Sequence, residues 1–148
     1  MKKVFIYYSL TGNGDEIAKI LENKKYDIRK VETNEILPKN FILRILTGGY
    51  KAMIKYEDKL MDFDSDIEDY DEIIIGTPIW NNRLSSPINS VLKELKLNNK
   101  KITFILYSGS GKSKKTTELI NKIYPDSKII NLKEPIKNKE ELNKLKDI

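Results

Sequence analysis

Three short runs are apolar at nearly every position: Val4 to Tyr8, Glu72-Ile73-Ile74-Ile75-Gly76, and Ile102 to Tyr107. A strand with one wet face alternates, so continuous runs of this length belong to strands covered on both sides. Amphipathic segments lie between them. After Asp15, residues Ile17, Ala18, Ile20 and Leu21 recur at helical spacing behind acids in the first turn. Pro87 to Leu97 repeats the pattern with Ile88, Val91, Leu92 and Leu95 facing inward. Thr116 to Tyr124 and Lys139 to Asp147 read as two more helices, and Ser127 to Leu132 as a last short strand. Tyr26 to Val31 alternates and fits a weaker strand near a sheet edge. Pro38 to Tyr56 carries Phe41, Ile42, Ile45, Leu46, Tyr50, Met53 and Ile54 near helical spacing, interrupted by Gly48-Gly49.

Strand and helix therefore alternate along the whole chain. That order predicts an α/β fold: one doubly wound domain over residues 1–148, a parallel sheet with helices on both faces. The acidic stretch from Tyr56 to Glu72 reads as a solvated connection, and Thr77-Pro78 as the end of the central strand.

Composition narrows the chemistry. The chain has no cysteine and no histidine, which removes thiolate nucleophiles, disulfides, iron–sulfur ligation and ordinary zinc sites. It also lacks the commonest base near neutral pH. Redox chemistry would have to come from a bound cofactor. The net charge of +5 and a pI of about 9.2 raise nucleic acid as a partner. Yet the lysines form no stripe with interleaved aromatics, and a genome biased to A- and T-rich codons produces the same Lys, Asn and Ile content. The expectation is no nucleic acid and no membrane. No stretch approaches the roughly 20 apolar residues of a membrane helix, and Met1-Lys2-Lys3-Val4 runs straight into a strand, so a cytoplasmic protein is expected.

Ligands of open parallel sheets bind beyond the carboxyl ends of the strands, where the strand order reverses. The loops to weigh are thus Ser9 to Gly14, Thr77 to Arg83 and Ser108 to Gly111. In the first, Ser9, Leu10, Thr11, Gly12, Asn13 and Gly14 combine hydroxyls, an amide and glycines at the start of a helix, with no lysine or arginine. Such a loop suits a phosphate held by neutral donors; the plainer alternative is a capped strand–helix turn. In the second, Thr77, Pro78 and Ile79 lead to the one tryptophan, Trp80, which either stacks on a planar ligand or caps the core. Asn81 and Asn82 follow it and tolerate left-handed backbone, so that a peptide there could flip. In the third, Ser108, Gly109, Ser110 and Gly111 let backbone approach a heterocycle. Gly111-Lys112-Ser113 ends like a nucleotide-binding P-loop, but Leu106 stands where that motif requires glycine.

With these segments the chain resembles the flavodoxin-like family, of the short-chain kind, over nearly its whole length. The resemblance rests on Ser9-Leu10-Thr11-Gly12-Asn13, on Tyr70 to Trp80, on Ser108 to Gly111, and on Arg83-Leu84 with Pro87. It implies a five-stranded sheet in the order 2-1-3-4-5 and one non-covalent FMN. By that analogy Ser9 and Thr11 to Gly14 hold the phosphate, while Pro78, Ile79, Trp80 and Asn81 flank the isoalloxazine. Ser108, Gly109 and Gly111 lie against its pyrimidine side, and a backbone carbonyl of Asn81–Asn82 meets flavin N5. The family's phosphate loop commonly closes with threonine where this chain has Gly14, which predicts one hydroxyl fewer and a looser grip. The resemblance further implies an electron carrier between a reductase and acceptor enzymes, as a monomer or weak homodimer. The alternative is an FMN-dependent NAD(P)H oxidoreductase acting on quinones or similar acceptors, although no residue stands out as catalytic.

Overall fold

The computed structural model describes residues 1–34 and 59–148, and element labels below number those residues in chain order. The strands are β1 (Lys3–Tyr7), β2 (Asp27–Lys30), β3 (Glu32–Thr33), β4 (Leu60–Met61), β5 (Glu72–Trp80), β6 (Arg83–Leu84), β7 (Lys101–Ser108) and β8 (Lys128–Lys133). The helices are α1 (Asn13–Asn23), α2 (Ser86–Glu94) and α3 (Lys114–Ile123), and a 3-10 helix spans Lys139–Leu145. The helix expected over Pro38 to Tyr56 lies outside the described residues.

The main sheet runs β2-β1-β5-β7-β8, and β1, β2, β5, β7 and β8 pair in parallel. Taken in chain order these strands follow 2-1-3-4-5, as the resemblance implied. The small strand β6 folds back antiparallel on the end of β5. Because the central runs are apolar at every position, their side chains feed two cores. Val4, Ile6, Ile73, Ile75, Phe104 and Leu106 meet Ile88 and Val91 of α2 and Ile120 of α3 on one face. Phe5, Tyr7, Ile74, Ile105 and Tyr107 meet Ile17 and Leu21 of α1 and Leu145 of the 3-10 helix on the other. Ile73, Ile74 and Ile75 are each 0% exposed, and burying a side chain of that size contributes about 1.5–3 kcal/mol. The edge strand β2 is only half-buried, in keeping with its alternating sequence.

Two readings of the sequence are corrected. Thr77-Pro78 does not end the central strand: β5 continues to Trp80, with Thr77 and Pro78 paired to Leu106 and Tyr107 of β7. The Gly76 carbonyl accepts the Tyr8 N–H, so it faces β1. Pro78, two residues on, faces the same side, beyond the point where β1 has ended. A proline there breaks no ladder bond. Nor is the acidic stretch simply solvated. Arg29 Nη1 donates to the carbonyls of Asp64 (2.8 Å) and Asp66 (2.6 Å), Lys100 Nζ donates to those of Glu68 and Tyr70, and Ile67 is buried beneath. No helix among the described residues is long and apolar enough to cross a membrane.

Candidate functional site

The order of the sheet reverses between β1 and β5: the chain passes from β1 to β2 on one side and later to β5 on the other. All three loops singled out in the sequence emerge here, at the carboxyl ends of the adjacent strands β1, β5 and β7.

The first loop turns on Gly12, whose φ of 92° is left-handed, and α1 starts at Asn13. Ser9 Oγ accepts the Gly14 N–H at 3.1 Å, and Asn13 Nδ2 donates to Thr11 Oγ1 at 3.1 Å. The N–H groups of Thr11, Gly12 and Asn13 find no acceptor among the described residues. They gather at the positive end of the α1 dipole, with no cation in the loop itself. Leu10 packs its side chain against the core. Acids of the first helical turn are neutralised nearby. Asp15 receives hydrogen bonds from Lys30 Nζ (2.8 Å) and Tyr7 Oη (2.9 Å), while Glu16 pairs with Lys19 and Lys139. Burial alone would raise the Asp15 carboxyl, but the bonds from Lys30, Tyr7 and Ser9 outweigh it and hold the group below the usual carboxylate range.

Gly14 has a different meaning from the one expected. It belongs to the buried face of α1, and a Cβ there would lie 2.6 Å from the Tyr7 ring and 2.7 Å from the Tyr107 phenol oxygen. Its side-chain space is already filled by tyrosine, so no hydroxyl could be carried at this position toward a ligand.

The second loop is a hairpin whose turn residues Asn81 and Asn82 both have left-handed backbone, with φ of 50° and 57°. Type I′ turns between paired strands demand that geometry, and asparagine meets it at little cost. The hairpin is fixed at base and tip. Thr77, fully buried, shares a 3.0 Å hydrogen bond with Ser85, the residue before α2, and Thr116 Oγ1 of α3 donates to the Asn82 carbonyl at 2.7 Å. Thr77 therefore braces the hairpin, its hydroxyl turned to Ser85 and away from the site. Ile79 and Trp80 are half-buried against the core, and the Trp80 ring meets Tyr8 edge-on at 6.0 Å. Of the two roles weighed for Trp80, packing on the core is seen, and its contact with Tyr8 places the ring next to the start of the first loop.

The third loop stiffens itself: Gly111 N–H donates to Ser108 Oγ (3.0 Å), and Lys112 N–H to Ser110 Oγ (3.2 Å). Gly109 is open, with nothing within 4 Å of where a Cβ would stand.

A fourth segment, missed in the sequence, closes the side of the first loop. The Ile136 N–H donates to Asn13 Oδ1 at 3.0 Å, and its side chain leaves 3.1 Å for any Cβ on Gly12. Nothing in Glu134-Pro135-Ile136 marks it beforehand except a proline turn. An apolar groove of about 310 Å³ between α2 and α3 adjoins the hairpin through Asn82 and Arg83 but lies beside the strand ends, not over them.

The family model described as Flavodoxin matches residues 52–146. The chain belongs to the flavodoxin family. The match takes in the hairpin and the third loop, while the Ser9 to Gly14 loop lies before it. Among solved structures, the fold is shared with a protein of Bacteroides eggerthii described as a flavoprotein. The TM-score is 0.72 at 19% identity, over 99% of this chain and 96% of that one. A similarly described Bacteroides uniformis protein gives 0.71 at 20% identity over 86% of each chain. A flavoprotein of Lactobacillus acidophilus, solved in complex with FMN, gives 0.68 at 18%, over 94% of this chain and 97% of that one. At these identities the likeness is one of fold. No curated protein matches in sequence. The flavodoxin fold is thus present with its sheet order intact, and β8 runs without interruption from Lys128 to Lys133, as in the short-chain kind expected from the sequence.

Proposed function

We propose that the protein binds one FMN at the carboxyl ends of β1, β5 and β7 and serves as an electron carrier between a reductase and acceptor enzymes. The observation that carries this reading is the cluster of N–H groups on Thr11, Gly12 and Asn13, unpartnered among the described residues and set beside Trp80 at the reversal point of the sheet. The donor set fits the group: a phosphate is met by neutral N–H donors and a helix dipole, and the ring system by an indole and by glycine-rich backbone. The FMN-bound Lactobacillus acidophilus flavoprotein shares the fold that builds this crevice.

Each segment has a separate task. Residues Ser9 to Asn13 hold the phosphate, Ile79 to Asn82 wall one side of the ring, and Ser108 to Gly111 supply backbone at its polar edge. FMN, when bound, supplies the redox chemistry. The protein positions it, shields one side from water and limits the motion of the hairpin through Thr77 and Thr116. With its own carbonyl held by Thr116, Asn82 leaves the Asn81 carbonyl as the turn's available acceptor for a proton on the ring.

The test is the absorption spectrum after incubation with FMN and removal of the free flavin. A bound yellow flavin is expected, and a colourless protein overturns the reading. With excess NADPH and no reductase the flavin should stay oxidised; rapid bleaching, with turnover of a quinone, would make the protein an oxidoreductase and not a carrier.

A further inference from the structure

The phenol of Tyr107 lies outside all three loops, yet it touches the first of them from below. Its hydroxyl donates a hydrogen bond to the Tyr8 carbonyl, the last backbone group before Ser9. β1 ends at Tyr7, so this carbonyl lies past the ladder and takes its hydrogen bond from the phenol instead. The same oxygen stands 2.7 Å from where a Gly14 Cβ would be, between the loop and the first turn of α1. Gly76 makes matching room from the sheet side, since a Cβ there would lie 2.7 Å from the Phe5 ring and 2.9 Å from Tyr7 Cβ. Two missing side chains thus open the space that Phe5, Tyr7 and Tyr107 fill.

We propose that Tyr107 is a positioning residue for the anion loop: its phenol, reaching past Gly14 to the Tyr8 carbonyl, fixes where the N–H groups of Thr11 to Asn13 point. The inference rests on the FMN reading and deepens it, naming what governs the grip on the phosphate. Simple core packing would be served equally by phenylalanine, which has the same ring. The hydroxyl is what reaches the loop. Burial pushes the Tyr107 phenol well above its ordinary range, so it remains a donor at every pH at which the protein would be studied. Tyr7 does not duplicate the role, because its own hydroxyl is turned to Asp15.

The experiment compares FMN with riboflavin, which lacks the phosphate, by fluorescence titration of wild type and Tyr107→Phe, with near-UV circular dichroism to confirm the fold. The Kd for FMN should rise about tenfold, the scale of a hydrogen bond lost from a buried acceptor, while the Kd for riboflavin changes by less than about twofold. Equal losses for both ligands, or no loss for either, overturn the proposal and leave the FMN reading standing. Wild type that binds no FMN overturns the FMN reading and this proposal with it. Should Tyr107→Phe fail to fold, 4-fluorophenylalanine in place of Tyr107 carries the same test, since fluorine fills the space of the hydroxyl but donates no hydrogen bond to the Tyr8 carbonyl. A selective loss for FMN supports the strut, and a loss shared with riboflavin overturns it.

Discussion

At the residue scale, the first turn of α1 shows how a carboxylate can stand beside an anion loop. Asp15 is negative and close to N–H groups proposed to hold phosphate, so it would repel the ligand if it were alone. Lys30 and Tyr7 compensate it, and both bonds favour the charged carboxylate. A carboxyl held below its unfolded value adds stability that is complete above that value, about 3.9, and is lost as the pH falls through the lower folded value. Asp15→Asn should therefore cost up to about 1 kcal/mol at pH 6, a small figure because the carboxylate of the pair is 36% exposed and screened by water. Urea melts of the two proteins should converge as the pH is taken below about 4. A gap that persists unchanged to low pH would show that Asp15 acts through packing and not through charge.

At the element scale, the hairpin after β5 joins the sheet to the site. Its two asparagines occupy left-handed backbone, which costs an ordinary L-residue roughly 1–2 kcal/mol. Asn82→Ala should lower stability by about 1 kcal/mol, whereas Asn82→Gly should leave it level or slightly raised, since type I′ turns favour glycine in the second position. Denaturant midpoints of the two variants decide this, and equal losses would mean that the asparagine side chain, not the backbone, matters. The sequence disclosed the asparagine pair and its tolerance for such a turn, but not the strand that leads into it. Local reading treats Pro78 as a stop; only the three-dimensional fact that β1 has already ended makes a proline harmless there. The apolar runs were legible for the opposite reason, because covering both faces of a strand writes itself into every position. Gly14 was legible as a glycine but not as a space filled from β7, since its neighbour Tyr107 is distant in sequence. Ile136 left no signal beyond the proline before it: its bond to Asn13 comes from a backbone N–H, which every residue but proline possesses.

At the scale of the whole molecule, the net charge of +5 and the neutral donor set should divide the kinetics of FMN binding between them. A dianion approaching a cationic protein is steered by long-range attraction, which salt screens beyond a Debye length of about 10 Å at 0.1 M. Once bound, the phosphate would face N–H groups and a helix terminus, with Asp15 and Glu16 already paired to lysines. Short-range contacts of that kind respond little to salt. The association rate should thus fall several-fold between about 50 and 500 mM NaCl, while the dissociation rate stays within about twofold. Stopped-flow quenching of flavin fluorescence measures both. A dissociation rate that rises steeply with salt would place a lysine or arginine directly on the phosphate, and would require a site built differently from the neutral loop between β1 and α1.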